Sequence, residues 1–153
     1  MVSVSTFPRR VETSSRKERK LGSSMDRMNI WFTVSEAEGL VKSGGLADVA
    51  KALPNALQVL GHDVSIVIPG YRTLPGLESA EVVLNTELDF WPHVRYQVKK
   101  LSLDGVPVYA VECHKYFYRS EFYAESNLPY PDKRKRFGFY AHALLEGHPK
   151  PVK

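Results

Sequence analysis

Ile30-Trp31-Phe32-Thr33-Val34, followed by Ser35 to Asp48 (SEAEGLVKSGGLAD), is the stretch that decides the fold. Every one of the first five residues is aromatic or β-branched, as in a strand buried on both faces. Lys42 then stands just before Gly44 and Gly45, and an amphipathic helical pattern opens at Leu46. Two glycines permit backbone conformations closed to other residues and let the chain come close to a ligand, while the amides of a first helical turn lack partners within the helix. That arrangement suits a phosphate, with the helix dipole and the Lys42 ammonium on the same side. A plain strand-to-helix turn with Lys42 in solvent has the same spacing, so the spacing alone leaves both readings open. Val41 occupies the place a Walker loop gives to glycine, and no G-x-G-x-x-G occurs, so hydride transfer on a dinucleotide has no support.

Downstream, Leu46, Val49, Ala50, Leu53, Ala56, Leu57 and Leu60 recur at helical spacing, which predicts a helix with this stripe packed on the sheet. Pro54 falls inside it and is expected to kink the helix or weaken it. Gly61 ends the helix, and Asp63 to Ile68 is the next buried strand, closed by Pro69-Gly70. Strand, helix, strand predicts a right-handed βαβ unit with parallel strands. Residues 71–76 read as loop. Val94 to Leu103 and Val106 to Val111 flank Asp104-Gly105, a strong hairpin signal, and Pro92 and Pro107 mark these as edge or excursion strands. Tyr116 to Tyr123 predicts a short helix with loop, its rings tucked beneath the domain. Lys133 onward predicts a last helix, with Phe137, Tyr140, Ala141, Leu144 and Leu145 inward and Lys133, Arg134, Lys135 and Arg136 mostly solvated.

The 153 residues are a one-domain length, and the net charge is +4. Residues 1–27 hold seven basic and three acidic side chains, so they account for the whole excess and the remainder is balanced. The folded part therefore offers no basic surface for nucleic acid, and Arg119 among its tyrosines reads as packing. The polar, Ser- and Arg-rich residues 1–27 are expected to form a disordered basic tail. They lack an apolar core region, so no secretory signal is expected, and no stretch is long enough to span a bilayer. A transit peptide would place the chain in a plastid, but three acidic residues argue against one, which leaves a cytoplasmic location. The lone Cys113 excludes an internal disulfide and fits a reducing compartment. The five histidines show no metal-ligand spacing.

The runs VKSGGLADVAKALPNAL (41–57) and GHDVSIVIPGY (61–71) resemble the amino-terminal signature of bacterial glycogen synthases and plant starch synthases. Glu36, Lys42, Gly44, Gly45, Leu46, Ala47, Asp48 and Val49 match that motif. Ser43 replaces its Thr, and Gly39 its Pro, a change expected to loosen the loop. A second block matches at Tyr116, Phe117, Arg119, Tyr123, Tyr130-Pro131-Asp132 and Arg136-Phe137, with Lys133 where the family has Asn.

The resemblance implies an α/β fold, a partial Rossmann-like (GT-B type) amino-terminal domain with a parallel βαβ core and an added β-hairpin. It covers residues 28–147, with 148–153 as a truncated end. The implied reaction moves glucose from ADP-glucose (or UDP-glucose) to the non-reducing end of an α-1,4-glucan acceptor, with retention and without cofactor or metal. Lys42, Gly44, Gly45 and Asp48 are the implied nucleotide-sugar ligands, and Asp48 is the one candidate for a catalytic role in this half. Asp48 has the alternative of a plain helix-start carboxylate. Glu36 is expected to touch glucan or brace the loop, and Tyr130 and Asp132 to touch the glucan acceptor or the sugar. The family's second domain is absent, so the chain alone is expected to be inactive. A non-catalytic remnant that binds nucleotide or glucan, or a regulatory fragment, is the alternative.

Overall fold

The computed structural model describes residues 26–90, 93–119 and 130–146, together with the backbone of 124–125 and 128–129. Most of the tail, Pro92, Tyr123 and residues 148–153 lie outside the described residues.

The βαβ unit is present. Strand β1 (Asn29–Thr33) leads through the glycine loop into helix α1 (Leu46–Val59), which returns to β2 (Asp63–Pro69). β1 and β2 are parallel, paired from Asn29↔Asp63 to Thr33↔Val67. Helix α1 continues past Pro54, which is buried, and closes with Gly61 N–H on Gln58 O and His62 N–H on Leu57 O. Gly61 takes a φ of +92° there, the left-handed helix ending that glycine tolerates best.

Next come β3 (Glu81–Leu88), β4 (Val94–Leu103) and β5 (Val106–Glu112). The sheet order is β1-β2-β5-β4-β3. The hairpin is therefore no excursion: β5 lies at the centre, parallel to β2 and antiparallel to β4. Pro107 is compatible with this because its residue lies just before the ladder to β2, whose pairs begin at Ile66↔Val108. β3 has no counterpart among the expected strands. Its residues are half exposed, with Val82 and Val83 facing outward, and pairing with β4 forms it rather than an apolar pattern of its own.

Short helix α2 (His114–Phe117) follows β5, and β6 (Ala124–Glu125) and β7 (Leu128–Pro129) form a small antiparallel pair. Helix α3 (Lys133–Glu146) then packs on the sheet face that carries Trp31, Val67, Tyr109 and Val111, using Ala143 and Leu144.

Two expected helix faces are corrected. In α1 the buried side chains are Ala47, Ala50 and Pro54, while Val49, Leu53 and Leu60 are exposed. The apolar residues of this helix wrap too wide an arc for one sheet face, and the small residues allow the closer approach. In α3 the buried set is Arg136, Phe139, Tyr140 and Ala143, whereas Ala141 and Leu145 face outward. Arg136, expected in solvent, is fully buried. Its Nε donates to Tyr116 O at 2.8 Å, and its guanidinium lies over the Tyr130 and Phe117 rings at 4.9 and 5.5 Å. The planar, delocalised cation stacks on aromatic faces, which lowers the cost of burying it.

Candidate functional site

The carboxyl ends of parallel strands are where open α/β sheets bind ligands, and the glycine loop leaves β1 at that end. Val34 N–H donates to Val67 O at 3.0 Å, which extends the β1–β2 pairing by one residue before the chain turns away. The turn is tight. Ala37 and Val41 exchange backbone hydrogen bonds at 2.9 Å in both directions, and Leu40 N–H donates to Ala37 O at 3.0 Å. Gly39 is the third residue of this turn at φ +93°, a value no proline can adopt. The turn that Gly39 makes is tied on both sides by backbone hydrogen bonds.

Glu36 holds the second half of the loop. It is 4% exposed, and its Oε2 accepts the Ser43 backbone N–H at 2.8 Å and the Ser43 hydroxyl as well. Farther along, Glu38 N–H donates to Ala47 O at 3.0 Å, which fastens the loop to α1.

Gly44 and Gly45 are exposed, and neither has a positive φ. Gly45 is the N-cap of α1, at φ −67° and ψ −16°, so the conformational reason for a glycine pair is not in use here. The other reason is. A side chain on Gly45 would meet nothing within 4 Å, and one on Gly44 only Glu36 Oε1 at 3.7 Å. The space above the first turn of α1 is open to an approaching group.

Lys42 is not adrift in solvent. Its Nζ lies 2.6 Å from Asp48 Oδ1 and 3.4 Å from Glu38 Oε1. The hydrogen bond to Asp48 is the main reason that the lysine titrates above its ordinary range, and the same bond holds Asp48 below the usual carboxylate range. Lys42, Gly44, Gly45 and Asp48 thus form one group around the start of α1. Glu38 belongs to it too. Its place four residues before Lys42 signals a pair only on a helix, and residues 37–41 form a turn here, so spacing alone did not mark it.

Tyr130 and Asp132 stand in a second cluster. Asp132 receives both guanidinium nitrogens of Arg119, one at 3.0 Å. The Arg119 guanidinium lies 4.5 Å over the Tyr130 ring, and Arg136 stacks on that ring as well. The Tyr130 hydroxyl is buried and has no hydrogen-bond partner among the described residues. Arg119 packs on a ring as its aromatic neighbours suggested, whereas Arg136 is the residue that spacing understated, because a basic side chain within a run of four reads as solvated until burial is known. Among the described residues no group of three or more His, Cys, Asp or Glu could hold a metal ion, and no helix is long and apolar enough to cross a membrane.

A parallel sheet whose first strand ends in a lysine-bearing glycine loop, open above a helix start, is a layout suited to an anionic ligand, and comparison with known proteins places it among glycosyltransferases. A family model described as the starch synthase catalytic domain matches residues 29–151, and the chain belongs to that family. It is 58% identical over 123 residues to a glycogen synthase of Vibrio atlanticus, covering 80% of this chain and 25% of that protein. Against a glycogen synthase of Vibrio cholerae the identity is 57% over 126 residues, covering 82% and 26%. The catalytic domain of starch synthase IV from Arabidopsis thaliana, solved bound to ADP and acarbose, matches with a TM-score of 0.58 and 28% identity, over 75% of this chain and 24% of that one. The chain thus spans about a quarter of the length of these relatives.

Proposed function

We propose that this chain supplies part of the donor-binding half of a retaining α-1,4-glucan synthase that uses ADP-glucose. In such a transfer negative charge grows on the departing diphosphate, and fixed dipoles and cations aimed there lower the barrier. Lys42 and the amides at Gly44 and Gly45 serve that leaving group, while Asp48 holds sugar hydroxyls or orients the loop amides. The observation that carries this reading is the open space above Gly44 and Gly45, with the Lys42 ammonium held at its edge by Asp48. Glu36 acts as the brace of the loop rather than a glucan contact, in keeping with its burial and its two bonds to Ser43. Of the second cluster, the partly exposed Asp132 is the candidate for contact with the α-1,4-glucan acceptor, while Tyr130, with its hydroxyl buried, lies behind it under Arg119. The ADP bound by the Arabidopsis starch synthase IV domain supports ADP-glucose over UDP-glucose as donor. No cofactor takes part, and the setting is the cytoplasm.

Preorganised charge on both sides of a water-excluded cleft is needed for such a step, so the 153 residues by themselves are inactive. The test pairs an assay of glucose incorporation into glycogen from ADP-glucose and UDP-glucose with calorimetric ADP binding. The expected outcome is ADP binding without incorporation by the 153 residues, and incorporation from ADP-glucose by a chain extended with a relative's remaining sequence. Elongation by the 153 residues at the rate of a whole synthase, or an extended chain that favours UDP-glucose, would overturn this assignment.

A further inference from the structure

We propose that Glu38 is a positioning residue that, together with Asp48, stores the Lys42 ammonium in the ligand-free loop, so that an incoming diphosphate must draw the lysine away from two carboxylates. This rests on the reading of Lys42 as a diphosphate ligand. Three observations carry it. The Lys42 Nζ lies between Asp48 Oδ1 at 2.6 Å and Glu38 Oε1 at 3.4 Å. Glu38 is fixed in place at its backbone, through the bond from its N–H to Ala47 O and through the Gly39 turn that follows it. Finally, residues 36–48 carry three carboxylates (Glu36, Glu38 and Asp48) against the single ammonium of Lys42. A loop placed to receive an anion is thus net negative before the ligand arrives.

The consequence is a competition. Phosphate oxygens approaching the first turn of α1 are drawn by Lys42 and by the helix amides. Glu38 and Asp48 oppose them, both through the field and by holding the lysine. Glu36 differs from these two because its charge is spent on Ser43 inside the loop. Asp48 has a ligand role of its own in the proposed site, and Glu38 has none. Glu38 is therefore the residue through which the affinity of this loop for a diphosphate is set without touching the ligand. Pairing of this kind between exposed groups is modest and screened by salt.

The experiment compares the full chain with its Glu38→Gln and Lys42→Ala variants. Two quantities are read: acylation of the Lys42 amine by acetic anhydride, followed by peptide mass spectrometry, and the dissociation constant for ADP. Glu38→Gln is expected to raise Lys42 acylation about two- to fivefold and to tighten ADP binding by a similar factor. Both differences should vanish near 1 M salt, where the Debye length falls to about 3 Å. Equal acylation in wild type and Glu38→Gln at low salt would overturn the storage of Lys42. Raised acylation without tighter ADP binding would overturn its release to the ligand, and a difference that survives high salt would assign the effect to shape. Lys42→Ala separates the two layers. If ADP affinity is unchanged in that variant, the diphosphate reading of Lys42 is the part that fails, while the acylation ratio still decides whether Glu38 holds the lysine.

Discussion

One carboxylate oxygen of Glu36 accepts both the backbone N–H and the hydroxyl of Ser43, and through this pair the end of β1 holds the loop that carries Lys42. The acceptor is buried and charged, so its bonds are stronger than neutral ones, and removing it leaves a backbone donor without its partner. Glu36→Ala should therefore cost about 1–3 kcal/mol of stability. Amide exchange at Ser43 should rise even where the rest of β1 stays protected. Glu36→Gln keeps one acceptor oxygen and should fall between the two. Urea denaturation with residue-resolved hydrogen exchange checks both, and unchanged protection at Ser43 in the Ala variant would remove Glu36 from its bracing role.

In the chain extended with a relative's remaining sequence, Lys42→Ala should lower catalytic efficiency with ADP-glucose by roughly ten- to a hundredfold, the loss that goes with one charge-assisted contact. Lys42→Arg should recover only part of it, because the guanidinium fork is larger and differently hydrated. The denaturation midpoint should stay where it is in both variants, since the side chain is exposed. Gly45→Val examines the backbone at the same place. Gly45 sits at an ordinary φ with nothing within 4 Å of an added Cβ, so the fold should lose only about 1 kcal/mol at the N-cap. Activity should nevertheless disappear, because the new side chain fills the space through which the ligand approaches. Steady-state kinetics beside a melting curve separate the two effects.

Arg136→Ala should cost about 2–5 kcal/mol, through the loss of a fully buried large side chain and of the bond to Tyr116 O. Arg136→Met should retain more than half of that stability, since a methionine refills the volume between the Tyr130 and Phe117 rings without a charge to desolvate. Equal midpoints for Arg136→Ala and the parent would show that the buried guanidinium is not a support of α3.

Stability should fall at alkaline pH. Burial holds Tyr140 well above its ordinary value, and it raises Tyr96, Tyr116 and Cys113 as well. Once the pH passes the ordinary thiol and phenol values, about 8.5 and 10, the unfolded chain has given up protons that the folded chain keeps. The unfolded state then binds fewer protons, so the free energy of unfolding decreases as pH rises, and the contribution of these four groups is constant below that window. Urea midpoints measured between about pH 7 and 11 should show this decline. The tyrosinate absorbance of the buried rings should appear together with unfolding, and a gradual titration in the folded state would count against the burial of Tyr140.

Several elements were readable along the chain because their signals lie within a few residues of each other. Val34 to Gly45 announces a strand end, a turn and a helix start, and Asp104-Gly105 between alternating runs announces a hairpin. The grouping of Lys42 with Gly44 and Gly45 at the start of α1 was legible for the same reason, as the three are near neighbours. β3 was not legible, since half-exposed Glu81 to Leu88 becomes a strand by pairing with β4.

The sequence by itself determined the βαβ unit, the hairpin and the family, all of which depend on local spacing and on the type of residue at each place. Only the tertiary structure decided that β5 sits at the centre of the sheet, that α1 buries Ala47, Ala50 and Pro54 rather than Val49 and Leu53, and that Arg136 lies inside. It also decided that Lys42 rests on Asp48 and Glu38. The first three depend on contacts between segments distant along the chain. The hydroxyl of Tyr140, for one, reaches Val34 O across 106 residues. The lysine's resting place depends on how the Gly39 turn folds the loop back toward α1. Burial and pairing between distant segments are set by which surfaces fit together when the chain closes, and no pattern confined to one segment records that fit.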